Sequence, residues 1–140
     1  MTQSTSTTSE SLKVLLLGVH IAPGDPITEE ALIKLIESDI AKGPDHGLNI
    51  RYTLTHASDP EYKVLVEKLR EQPWDIVAIG AGVRYPKSNA SLFEWLVNAA
   101  VRFVKPTPVL VFNTSPDGVV EACLRVRPEM ERLRTLGNGA

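Results

Sequence analysis

Cysteine is scarce in this chain: Cys123 is the only one in 140 residues. No internal disulfide can form, which suits a reducing, cytoplasmic setting. No Cys/His cluster has zinc-ligand spacing, so no metal site is expected. Long apolar runs are missing too, since no window approaches the roughly 18 apolar residues of a membrane span. Residues 2–11, TQSTSTTSES, have neither the basic start and apolar stretch of a secretory signal nor the arginines of a mitochondrial presequence. The expectation is a disordered polar tail over 1–11, a single domain over 12–140 and a cytoplasmic location. An excess of one charge is also lacking: Lys and Arg number 15 against 17 Asp and Glu, a formal charge of −2. That balance offers no electrostatic case for nucleic acid or an anionic membrane as partner.

What is present is an alternation. Four short apolar runs, Val14–Val19, Ile50–Thr55, Ile76–Ala81 and Pro108–Phe112, are separated by helix-like segments. Such βαβ rhythm predicts an α/β fold, a three-layer αβα domain around a four-stranded parallel sheet. The first and third runs are almost wholly apolar, as strands covered on both faces are. The second alternates, with Ile50, Tyr52 and Leu54 on one face and Arg51, Thr53 and Thr55 on the other, the mark of an edge strand. Right-handed crossovers then favour the order 2-1-3-4, flavodoxin-like with one strand fewer.

Capping chemistry places helix starts at Asp25 or Thr28, at Ser58 or Asp59, at Ser88 or Ser91, and at Ser115. Pro116 and Asp117 fit the first turn of the last helix, and Pro128 is expected to break or kink it. Cys123 shares an apolar pattern with Val119, Val120 and Leu124 and reads as a packed thiol. The third helix, SLFEWLVNAAVRFV, is too apolar for its place: Glu94, Asn98 and Arg102 make one narrow polar stripe, and Phe93, Trp95 and Val97 exceed what one sheet face needs. Either the C-terminal segment covers the surplus or a second copy does, and a homodimer through Phe93, Trp95 and Val97 is the favoured expectation.

In a sheet of this kind ligands bind beyond the carboxyl ends of the strands. The residues collected there are Gly18 and His20, then His56, then Gly80, Gly82 and Arg84, and finally Asn113, Thr114 and Ser115. Glycines admit a ligand close to backbone. Arg84 offers a bidentate grip, and a helix start at Ser115 offers amides and a positive dipole end to an anion. His20 is the proton-transfer candidate, because imidazole titrates near neutral pH. His46 lies at the opposite end of the sheet and is assigned no role.

Standard versions of the fold fail on their motifs. The segment after the first strand reads GVHIAPG, so it has no GxGxxG for a dinucleotide, no Ser/Thr-rich loop for FMN and only part of the DxHxxG of cobalamin-binding domains. The acidic pair and phospho-accepting Asp of response-regulator receivers are replaced by Gly18-Val19-His20 and Gly80–Gly82, and no GxSxG elbow occurs. The segments DIVAIGAGVR (Asp75–Arg84) and LVFNTSPDG (Leu110–Gly118) resemble segments of small uncharacterised proteins of bacteria and fungi. That resemblance supports the two segments as a unit and implies no particular activity or cofactor. The leading expectation is an enzyme or binder for a small anionic metabolite, with Arg84 and Ser115 on the anion. The alternative is a non-catalytic, receiver-like interaction module acting through the third helix. A flavin carrier is a third reading.

Overall fold

A computed structural model describes residues 11–139. The disorder anticipated for the tail concerns residues that, Ser11 apart, lie outside this range. The apolar runs become β1 (Leu12–Val19), β2 (Leu48–Thr55), β3 (Ile76–Ile79) and β4 (Val109–Phe112). They form one sheet in the order β2-β1-β3-β4, parallel throughout. β1 pairs with β2 from Leu12–Leu48 to Val19–Thr55 and with β3 from Val14–Ile76 to Leu17–Ile79. The alternating strand is thus at an edge and the two most apolar strands are central. Burial on both faces requires this of them.

Side chains alternate across a strand, so β1 feeds two cores. Val14 and Leu16 pack with Leu32 and Ile36 of α1 (Glu29–Ile40) and with Val119 and Cys123 of α4 (Val119–Gly139). Leu15 and Leu17 pack on the other face with Leu65 and Leu69 of α2 (Tyr62–Arg70), Leu96 of α3 (Ala90–Phe103), and Trp74. These are the three layers the alternation predicts. Among the described residues no helix is long and apolar enough to cross a membrane.

Cys123 is fully buried, and burial pushes its thiol up to about 11, with Asp39 adding to the shift and Arg127 opposing it. Since the thiolate is the reactive form, iodoacetamide should modify native Cys123 no faster than the chain globally unfolds. Labelling at the rate of an exposed thiol, read by intact-mass spectrometry, would overturn this packing.

One helix start follows the capping expectations and the others differ from them. Thr28, not Asp25, caps α1 by accepting from Ala31 N at 3.1 Å. Neither Ser58 nor Asp59 caps α2: Asp59 forms an isolated bridge with His56, and the Glu61 amide donates to buried Thr55 Oγ1 at 3.0 Å. α3 begins at Ala90 without a side-chain cap. Ser88 lies in the preceding 3-10 turn (Lys87–Asn89) and Ser91 inside the first helical turn. β3 stops at Ile79, short of the end of the apolar run at Ala81, and Ala81–Arg84 forms a helical turn with Val83 fully buried. The last helix starts at Val119 rather than just after Ser115, because Ser115–Gly118 closes a turn of its own with Gly118 N on Ser115 O at 3.0 Å. It is not broken at Pro128. The carbonyl deprived of a donor there is that of exposed Leu124, where water can serve it.

The C-terminal segment, one of the two expected coverings, does not cover the apolar surplus of α3. The C-terminal helix lies across the sheet on the other face, so it does not cover α3. Trp95 packs instead on Tyr62 of α2 with ring centroids 4.6 Å apart, Phe103 lies under Arg70 at 4.7 Å, and Phe93 meets Phe112 of β4 edge-on at 6.0 Å. Val101 stays 42% exposed.

Candidate functional site

From β1 the chain turns through α1 to β2, whereas from β3 it turns through α3 to β4 on the opposite side. The loops leaving β1 and β3 are therefore drawn apart, which opens a crevice at this switch point. A cleft of about 730 Å³ lies there. Gly18, His20, Gly80, Gly82, Asn113, Thr114 and Ser115 all line it, with Ile27, Leu54, Ala57 and Pro86 among its apolar walls. At Gly18 a Cβ would stand 2.9 Å from Leu54 Cδ2, so a larger residue would have to displace the end of the Leu54 side chain. Two of the residues expected at the site, His56 and Arg84, do not line the cleft.

His20 directly follows β1. Its Nδ1 is 2.6 Å from Glu29 Oε2, and the other oxygen of the same carboxylate accepts from Ile21 N at 2.9 Å. Glu29 opens α1, where a helix N-terminus favours negative charge. A carboxylate only accepts, so Nδ1 carries the proton and Nε2 is left as the basic nitrogen. The second face of the His20 ring stacks on His56, with centroids 4.3 Å apart and planes at 28°. His56 thus belongs to the site as a support for His20. The hydrogen bond from His20, followed by that from Ile21, holds the Glu29 carboxyl below its usual range.

A lowered folded-state pKa stabilises the fold above the ordinary carboxylate range and ceases to do so as pH falls through the lowered value. Wild type should therefore lose more stability than Glu29→Gln between about pH 6 and pH 3 in urea titrations. Parallel acid losses in the two chains would sink the dyad.

Arg84 is turned away from the cleft. Its Nη2 donates to Asn113 O at 2.8 Å, and its guanidinium stands 4.9 Å from the Tyr85 ring and 5.4 Å from the Phe112 ring. The bidentate anion grip expected of it is replaced by a structural tie to the loop after β4. Arg84→Ala should accordingly cost about 1–2 kcal/mol in urea unfolding, one hydrogen bond and the aromatic contacts being lost. An unchanged midpoint would contradict that assignment.

The helix start expected to receive an anion near Ser115 is also occupied. Asp39, 4% exposed near the end of α1, accepts from Val119 N at 2.7 Å and Val120 N at 3.1 Å through Oδ2. The chain supplies its own anion to the α4 dipole, and Ser115 Oγ donates to Asp117 at 2.8 Å. No lysine or arginine stands among the described residues lining the cleft, whereas Asp25 does. No three His, Cys, Asp or Glu side chains of the described residues group as a metal site.

Sequence reasoning missed Glu29 and Asp39 as site-shaping residues. Glu29 reads as an ordinary first-turn acid. Asp39 carries a faint signal, an acid in the last turn of a helix, where the dipole disfavours it. No protein-family model matches the chain, and no curated protein matches it.

Proposed function

We propose that this chain is an enzyme that moves a proton on a small organic molecule held in the cleft, with His20 as the acid–base group. The observation that carries the reading is the His20–Glu29 pair at 2.6 Å beside a cleft at the sheet's switch point. A carboxylate that fixes the tautomer and orientation of an imidazole leaves the other ring nitrogen poised as a base. An anionic substrate, the expectation from the strand ends, draws support here only from His20 and main-chain amides. The lining residues favour a neutral or singly charged molecule over a phosphate carrying two charges.

A thermal-shift panel of small carboxylates, phosphate esters, alcohols and amides identifies molecules that raise the melting temperature. Hits are then incubated in D₂O with wild type and His20→Ala, and proton exchange on the ligand is followed by NMR. Wild type should exchange a ligand hydrogen, and His20→Ala should do so about 10²–10⁴-fold more slowly. Ligands that bind without exchange in either chain would make this a binding protein.

The half-exposed remainder of α3 favours a second reading, an interaction module in which Phe93, Trp95 and Val97 meet a second copy. Val101, 42% exposed on that helix, is the observation behind it. Sedimentation at high concentration decides it: a wild-type monomer removes this reading, and a dimer lost on Val97→Glu supports it.

A further inference from the structure

The cleft is bordered by one large aromatic side chain that is open rather than packed. Tyr85 lines it and is 63% exposed. Single exposed apolar residues are ordinary on a protein surface, but this one is held at both its main chain and its ring. Tyr85 N donates to Ala81 O at 3.0 Å, closing the Ala81–Arg84 turn that fully buried Val83 anchors. Asn89 Nδ2 donates to Gly82 O of the same turn at 3.1 Å. One face of the Tyr85 ring lies 4.9 Å from the Arg84 guanidinium. That guanidinium is itself tied to Asn113 O at 2.8 Å and stands 5.4 Å from the Phe112 ring. Arg84 does not line the cleft and Tyr85 does. The ring therefore stands between the guanidinium and the cleft, with its uncovered face on the cleft side.

Resting on the reading of the cleft as a ligand site, we propose that Tyr85 is a specificity-determining residue that stacks on a planar ring of the bound molecule. A side chain held in advance loses little freedom when a ligand settles on it. Aromatic faces attract other rings, in offset or edge-on arrangements, beyond the gain from burial alone. A cation already on one face draws the ring's electrons toward itself, which leaves the other face a poorer site for a second cation. The ligand class is therefore a small molecule with an uncharged aromatic or heteroaromatic ring. The other apolar walls, Ile27, Leu54, Ala57 and Pro86, take its remaining surface. Since His20 lines the same cleft, the ring belongs to the molecule whose proton His20 moves.

The test uses two pairs of probes that share a polar group and differ in the ring: benzamide against cyclohexanecarboxamide, and benzyl alcohol against cyclohexylmethanol. Each is titrated into ¹⁵N-labelled protein, with the Gly18, Gly80 and Gly82 amides reporting occupancy and nuclear Overhauser contacts to the Tyr85 ring reporting the stack. The aromatic member of each pair should bind about fivefold more tightly, the worth of one ring pair beyond its burial. Tyr85→Leu, which keeps an apolar wall and removes the ring, should bring each pair to equal affinity, whereas Tyr85→Phe should retain the preference. Because the side chain is exposed, both variants should fold. Equal affinities within the wild-type pairs, or a preference that survives Tyr85→Leu, overturn the proposal and leave the cleft a ligand site. If none of the probes moves the cleft glycines, this proposal and the reading beneath it fail together.

Discussion

Asp39→Ala is expected to lower stability by about 3 kcal/mol, because it leaves two buried amides of α4 without an acceptor and removes the charge that neutralises that helix end. For a chain of this length the melting temperature should fall by about 10 °C. The side chain accepts from Val119 N and Val120 N, 80 and 81 residues away, and thereby ties the end of α1 to the start of α4. Asp39→Asn keeps one oxygen in place and should lose about half as much, since a neutral acceptor still forms a hydrogen bond but a weaker one. Urea unfolding of the three chains checks both figures. Equal stability of Asp39→Ala and wild type would mean that water caps α4 equally well. The cleft should keep its shape in Asp39→Asn, so ligand binding there should survive, whereas Asp39→Ala should loosen the Asn113–Ser115 loop that precedes α4.

Trp74→Ala should cost still more, about 4 kcal/mol, the upper part of the range for deleting a large buried side chain. Trp74 is 1% exposed, packs between α2 and the sheet among Leu65, Leu69 and Val77, and donates from Nε1 to Lys68 O at 2.9 Å. Truncation therefore leaves a cavity and removes one of the two hydrogen bonds to Lys68 O, that from Glu71 N at 3.2 Å remaining. Trp74→Phe separates the two contributions: it retains most of the volume and should lose about half as much. Denaturant unfolding monitored by circular dichroism avoids the loss of the fluorophore itself. If Trp74→Ala unfolded at the wild-type midpoint, the α2 layer would have to be less tightly packed than its burial indicates. Since the cost falls on the face away from the His20–Glu29 pair, the pair's acid sensitivity should be retained in both variants.

Much of the architecture was legible because it is written in local periodicity. A continuous apolar run such as Val14–Leu17, set between helix-like segments, fits a strand covered on both faces, and the alternation from Ile50 to Thr55 fits an edge. Cys123 was readable for the same reason, as one position in an apolar helical stripe. The candidate site was legible in part. Topology alone directs Gly18, His20, Gly80, Gly82 and Asn113 to one end of the sheet, and they meet there. Arg84 shows where such reasoning stops. Its position near a strand end was right, but the direction of a long side chain depends on which carbonyl and which rings lie within reach, here Asn113 O, Tyr85 and Phe112.

Capping followed the same division. Thr28 caps α1 from three residues away, and the local motif identifies it. The acceptors at the starts of α2 and α4 come from Thr55 and Asp39, residues that no capping motif connects to those helices. The surplus on α3 was visible as composition, yet its covering by Tyr62, Arg70 and Phe112 depends on how α2 and β4 flank it. By itself, then, the sequence determined the layers, the strand order and the end of the sheet where a ligand would lie, since each follows from periodicity and chain handedness. Only the tertiary structure decided that Glu29 orients His20, that Asp39 closes the helix end expected to take an anion, and that Arg84 ties itself to Asn113 instead of gripping a ligand. Those outcomes depend on which polar atoms packing brings within about 3 Å of one another, and no periodic pattern along the chain encodes such distances.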